Sequence, residues 1–319
     1  MSFRSIKLIS GLWQDKRFRK LLTLVGLSLF FVVIFTIMGG LCGTLLFGIN
    51  PFTNPDLMHD LHNPQVINSL KLMQTFSAIG LFILPPVITA FLFDIKPLTW
   101  LKLDKQPASV TFLLVIITIV ISNPVINWMN ELNQHATLPA VLKGLEDWMK
   151  AAENRAGELT KVFLGTNTYT GLAVNLFVIA LLPAIGEELL FRGALQRLLG
   201  ELTRNKHAGI VLSAIAFSAL HMQFYGFLPR MMLGIYFGYL VLWSGSLWPA
   251  IIGHFINNAT AVVFYFVQQK EKLPIDPDTI GTKAGDEMIL LTTLLLTSVC
   301  IWLVYRVEAK KAALSDVNS

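Results

Sequence analysis

Eight apolar stretches recur along this chain, near residues 21–48, 69–93, 109–129, 171–199, 207–223, 229–243, 249–268 and 288–307. A hydrocarbon core of about 30 Å takes about 20 helical residues to cross. Lipid offers no partner for backbone N–H and C=O groups, so each stretch must close its hydrogen bonds within itself. The expected fold class is therefore all-α, a polytopic membrane helix bundle with about eight transmembrane helices. The balance of residues agrees: 54% are hydrophobic, only 14% are charged and the mean hydropathy is +0.61, far from a soluble domain.

Arg4, Lys7, Lys16, Arg17, Arg19 and Lys20 precede the first stretch, which shows no small-residue cleavage site and reads as a retained anchor. With those residues held inside, segment 49–68, which carries Asp56 and Asp60 and no Lys or Arg, falls outside. Segment 94–108, with Lys96, Lys102 and Lys105, returns inside. The chain is thus expected to be an integral protein of the cell membrane with cytoplasmic N- and C-termini. Segment 130–168 fits less well, because it mixes Lys143, Lys150, Arg155 and Lys161 with Glu131, Glu146, Asp147, Glu153 and Glu158. Leu138, Val141, Leu142, Leu145 and Trp148 recur there at helical spacing, which suggests an amphipathic helix on the membrane surface. The net charge of +5 is spread over the cytoplasmic ends, as orientation requires, and implies no nucleic-acid partner. Cys42 and Cys300 lie in separate apolar spans and read as small buried hydrophobes.

Against this background Glu187 and Glu188 stand out, adjacent carboxylates inside the apolar run LLPAIGEELLFRG. A charge at bilayer depth costs roughly 2.5–3.5 kcal/mol on insertion scales and marks a functional site by default. Residues 201–207, ELTRNKH, form a polar break, so the flanking stretches should make an antiparallel hairpin. Glu187 lies 17 residues before Arg204 and His221 lies 17 after it, so both sit about 25 Å along their arms at roughly 1.5 Å per residue. Glu188 and Arg192 are spaced i to i+4 with the acid first, the favoured order for an ion pair. Glu187 projects about 100° away and is left as the available carboxylate. Pro183 removes a helical hydrogen bond four residues upstream and should kink the segment.

A third cluster, His254-Phe-Ile-Asn-Asn258, places His254 and Asn258 on one face, with Asn257 a close alternative. His254 follows the uncharged turn WSGSLWP by five residues, so that turn is expected to be sunk within the protein. Gly234 and Gly238 show the small-xxx-small spacing of closely packed helices. His59, His62, His135 and His207 read as solvated surface; the spacing of His59 and His62 beside Asp56 and Asp60 is a weak metal signal.

In this order, E187-E188-x-x-x-R192, F217-x-x-x-H221 and H254-x-x-x-N258 resemble the CPBP (CAAX protease and bacteriocin-processing, Abi) family of intramembrane endopeptidases, which includes the type II CAAX prenyl endopeptidases. The resemblance covers about 171–268. It implies a division into a basic cytoplasmic N-terminus (1–20), N-terminal transmembrane helices with an amphipathic surface segment (21–165), a CPBP-like catalytic core (166–270), and a loop, last helix and cytoplasmic tail (271–319). It also implies that Glu187 activates water, that His221 and His254 are site histidines, that Asn258 stabilises an oxyanion, and that Glu188 and Arg192 support them. The expected partners are the lipid bilayer and a membrane-bound peptide or protein substrate.

Two mechanisms stay open on the residues alone: a glutamate-dependent one, and one in which Glu187, His221 and His254 hold a zinc ion at an open site. The H-E-x-x-H, G-x-S-x-G and P-loop patterns are absent. A proton-coupled transporter is the rival reading of a kinked helix with Glu187, Glu188 and Arg192. The internal repeat common in transporters is not evident in 1–150. A non-catalytic scaffold of the same fold is the third, and no site residue is missing to favour it.

Overall fold

The computed structural model describes residues 15–53, 60–135, 138–271 and 279–317. Arg4, Lys7, Asp56 and His59 lie outside these. Ten helices account for the architecture: α1 (Lys16–Phe47), α2 (Pro64–Phe93), α3 (Ser109–Ile121), α4 (Asn123–Gln134), α5 (Lys143–Leu164), α6 (Tyr169–Thr203), α7 (Lys206–Leu220), α8 (Phe227–Ser244), α9 (Trp248–Glu271) and α10 (Glu287–Val317). Among the described residues there is no strand, and the protein is an all-α membrane bundle. Among the described residues six helices are long and apolar enough to cross a membrane, and α3 with α4, bent by 45° at their junction, makes seven if the pair is counted as one span.

The remaining apolar helix, α7, has 15 residues, about 22 Å of rise against a core of about 30 Å. It starts at the polar break, where Asn205 caps the His207 and Ala208 N–H groups and Arg204 takes a left-handed φ of 54°. Starting at one face and ending short of the other, α7 leaves His221 and the loop after it recessed.

Two of the three π-type stretches in the described long helices lie beside proline, and the third spans Leu189–Leu195 without one. The backbone widens to π-type turns over Leu176–Leu181, just before Pro183, and over Ile79–Ile83, just before Pro85 and Pro86. A proline supplies no N–H to the carbonyl four residues back, and the ladder loosens where that bond is lost. α6 sits at the centre of the bundle. It packs on α2, α7 and α9, while α1 lies along α2 and α10 along α3. Gly234 and Gly238 of α8 make the close approach expected of them: a β-carbon at Gly238 would come within 2.7 Å of Gln196 Oε1 and of Ile210 Cγ2. The turn after α8 lies under the 94–108 loop, Leu247 N–H donating to Lys102 O (2.8 Å) and Ser246 Oγ to Lys105 O (2.7 Å).

Candidate active site

Pro183 is the local cause of one arm of the site. It supplies no N–H to the carbonyls of the preceding π-type turn, and in that turn Ile179 O accepts from Asn258 Nδ2 of α9 at 3.3 Å. The kink and the asparagine lie together and draw α9 against α6 about two helical turns before Glu187. Asn257 Nδ2 donates in turn to Asn258 Oδ1 (3.2 Å) and holds the amide in orientation.

On the other side of Glu187 along α6, Glu188 and Arg192 form the expected pair, Arg192 Nη1 donating to Glu188 Oε1 at 2.8 Å with both side chains buried. Three rings surround the guanidinium: Phe217 at 4.4 Å, Phe237 at 5.6 Å and Phe191 at 5.9 Å from its carbon to the ring centroids. A buried cation is stabilised by both its counter-ion and these π faces. The aromatic residue of the F217-x-x-x-H221 pattern thereby has a physical role. Glu188 Oε1 has a second partner that the spacing of residues did not disclose, His254 Nδ1 at 2.8 Å.

Glu187, His221 and His254 come together as expected from equal arm lengths. His221 Nε2 lies 3.9 Å and His254 Nε2 3.8 Å from Glu187 Oε2. His221 Nδ1 must carry the hydrogen, because its partner at 2.8 Å is the carbonyl of Phe217, which only accepts. His254 Nδ1 donates likewise to the Glu188 carboxylate. With both rings neutral, each Nε2 is a lone-pair acceptor near a third acceptor, Glu187 Oε2, which is buried without a hydrogen-bond partner among the described residues. Three acceptors facing one volume require a donor between them, and a water molecule fits that need. Phe237 stacks on His254 at 5.6 Å and 21° and fixes its plane.

A zinc ion fits this arrangement less well. Bonds of about 2.0–2.2 Å in a tetrahedral site put ligand atoms about 3.4 Å apart, and the Nε2 to Oε2 separations here are 3.8 and 3.9 Å. Among the described residues no three His, Cys, Asp or Glu side chains form a metal-holding group.

Glu187 lies in a cavity of about 370 Å³ that also reaches Gln74, Asn130 and Arg230. Gln74 and Asn130 carry no spacing pattern in the sequence. Arg230 had a usable signal, a lone arginine four residues into the start of α8. Its guanidinium donates to Gln223 Oε1 (2.7 Å) and Gln223 O (3.2 Å). The cavity shares the lining residues Asn130, Gly226 and Arg230 with an adjoining polar one of about 520 Å³, lined also by Glu153, Asn154 and Gln223. His135 and His207 stay apart from the site: His135 pairs with Glu131 within α4 and the following turn, and His207 with Tyr239.

Fold and site together define an integral membrane protein enclosing a carboxylate–imidazole cluster with access to water. Residues 169–260, which contain the whole of that cluster, match the family model described as Rce1-like, type II CAAX prenyl endopeptidase Rce1-like. The chain is thus similar to CAAX-type intramembrane proteases, and hydrolase chemistry on a membrane-associated substrate is the class this supports. No curated protein and no solved structure shows a significant match.

Proposed function

We propose that the protein is an intramembrane endopeptidase in which Glu187 activates water and His221, His254 and Asn258 complete the site. The single observation that carries this reading is the convergence of Glu187 Oε2 with two Nε2 acceptors in a cavity open to water. A water bound among them donates one hydrogen to Glu187 and one to an imidazole, which leaves its lone pair free for a scissile carbonyl. As the new C–O bond forms, Glu187 takes a proton and the carbonyl oxygen becomes an oxyanion. Asn258 lines the same cavity, and in this reading the second N–H of its amide donates to that charge; one such donor is worth about 2.7–4 kcal/mol. The C–N bond then breaks as Glu187 returns its proton to the leaving amine, and the histidines accept the remaining hydroxyl proton. Glu188, paired with Arg192, keeps His254 in the required tautomer and orientation.

The substrate is proposed to be membrane-associated. An apolar crevice of about 270 Å³ between α3, α4, α8 and α10 adjoins the cavity at Ile126, Pro229 and Leu233. It suits an aliphatic or lipid-modified portion of the substrate, while the polar cavity takes the peptide bond.

Glu187→Gln tests the reading. Peptides from membranes of cells carrying wild type or the variant are compared by mass spectrometry. Glu187→Gln should abolish the wild-type cleavage products, a loss of about 10²–10⁴ in rate, with an unchanged melting temperature in detergent. Products that persist in the variant would rule out Glu187 as the base.

A further inference from the structure

Hydrogen bonds between elements divide the bundle into two ends. At one, Arg17 Nη1 donates to Glu201 O (2.9 Å), Arg197 Nη1 to Trp100 O (3.0 Å), Ala108 N to Glu308 Oε1 (2.9 Å), and Lys311 Nζ to Gln106 O. The start of α1, the 94–108 loop, the α6–α7 turn and the last turns of α10 thus share one face. At the other, Asn133 Nδ2 donates to Phe224 O (2.7 Å), Tyr225 N to Glu153 Oε2 (3.2 Å), Lys270 Nζ to Tyr169 Oη (2.7 Å) and Asn127 Nδ2 to Ile280 O (3.0 Å). The ends of α4 and α9, the start of α6, helix α5 and the 221–226 loop share this second face. The path from Glu187 leads to it, because the adjoining polar cavity is lined by Glu153, Asn154 and Gln223.

The two faces differ in charge. Lys96, Lys102, Lys105, Arg204 and Lys206 stand on the short connections of the first face, against Asp94, Asp104 and Glu201. Arg306, Lys310 and Lys311 add to it from α10. On the second face Lys143, Lys150, Arg155 and Lys161 are outnumbered by Glu131, Glu146, Asp147, Glu153 and Glu158. Lys and Arg in short loops are retained in the cytoplasm.

We infer that the Glu187 cavity opens on the non-cytoplasmic side of the membrane, so that the substrate is an exported peptide or a membrane protein segment lying just beyond the outer interface. The orientation stands on charge and connectivity alone; the substrate class rests on the proteolytic reading above. A substrate fitted to this geometry is amphiphilic. Its apolar part enters the crevice beside Ile126 and Leu233, and its scissile bond descends to Glu187 through the recess that the short α7 leaves open. A lipid-modified C-terminus held in the cytosol would meet the basic face, whose own cavity of about 480 Å³ reaches Arg192 and Gln196 and is not lined by Glu187, His221 or His254.

Single cysteines in a Cys42→Ser, Cys300→Ser background test the orientation in intact cells with a membrane-impermeant maleimide. Asn154→Cys, exposed at the mouth, should label directly; Lys105→Cys, exposed on the opposite face, should label only after permeabilisation. The reverse pattern, or labelling of both in intact cells, overturns the inference. Both readouts are independent of activity. The substrate arm maps the peptide termini that disappear in Glu187→Gln onto membrane topology. They should fall in non-cytoplasmic segments; termini in cytoplasmic tails overturn the inference and leave proteolysis standing. No difference between wild type and variant defeats the proteolytic reading and the substrate class with it, while the labelling still decides the orientation.

Discussion

Helices α6 and α10 are both long, apolar membrane helices, yet 61% of the most apolar window of α6 is buried inside the protein and 6% of that of α10. In water, apolarity would bury both. In lipid, an apolar surface gains nothing by leaving its neighbours, and helices sort instead by polar content and close packing. α6 carries Glu187, Glu188, Arg192 and Gln196 at depth, all buried; α10 is charged only near its ends. The polar residues therefore dictate both the chemistry and which helix stands at the centre.

The largest test of this contrast is Glu188→Gln. It removes the counter-ion of Arg192 and leaves a neutral amide oxygen as the sole acceptor for both Arg192 Nη1 and His254 Nδ1, and a broken buried pair costs about 3–5 kcal/mol. Thermal unfolding in detergent should fall sharply, and cleavage should fall with it because His254 loses its orientation. The double variant Glu188→Gln, Arg192→Met should recover part of the stability and none of the activity. An unchanged melting temperature for the single variant would mean that the pair does not hold α6 in place.

Packing gives the next effect. Gly238→Ala drives a β-carbon into Gln196 and Ile210 at 2.7 Å, an overpacking cost of about 1–3 kcal/mol. The same exchange at Gly26 of α1, where a β-carbon meets nothing within 4 Å, should leave the melting curve unmoved. Equal losses at both positions would erase the distinction between centre and periphery.

How much of this was legible in the sequence depends on the range of each interaction. The helices, the Glu188–Arg192 pair and the meeting of Glu187 with His221 follow from local periodicity and hairpin arithmetic, and the structure has them. The Glu188–His254 contact joins residues 66 apart, and no local spacing encodes it. Nor could periodicity show that Asn258 would take the Ile179 carbonyl, although the loss of a helical hydrogen bond at Pro183 was readable. Gln74 and Asn130 were invisible because isolated amides in apolar helices carry no pattern. Arg230 was passed over for want of a partner in its own helix.

Outside the spans, Lys102 makes a pH-dependent prediction. It is confined beneath Val241, whose carbonyl accepts from its Nζ at 3.3 Å. Burial, with Arg197, Lys206 and Lys105 nearby, lowers its pKa from 10.5 to about 8. Below about pH 8 both folded and unfolded chains hold the proton and the desolvation penalty is present in full. Between about 8 and 10.5 the unfolded chain binds more protons, so this group makes stability rise with pH. Melting temperatures measured from pH 7 to 9.5 should show that upward contribution, and Lys102→Met should remove it. A slope identical in the two proteins would place the ammonium in water.

The smallest effect is expected where the contrast between α6 and α10 is most direct. Leu198 of α6 is fully buried, whereas Leu295 of α10 is 65% exposed. Leu198→Ala leaves a void among fixed neighbours and should cost about 2–5 kcal/mol. At Leu295 the surrounding lipid or detergent refills the space, the side chain moves between two apolar phases, and alanine is the better helix former. Leu295→Ala should therefore shift stability by less than about 0.5 kcal/mol. A loss at Leu295 approaching that at Leu198 would show that this side of α10 is covered by protein, and a second copy of the chain would be the first occupant to test by cross-linking in the membrane.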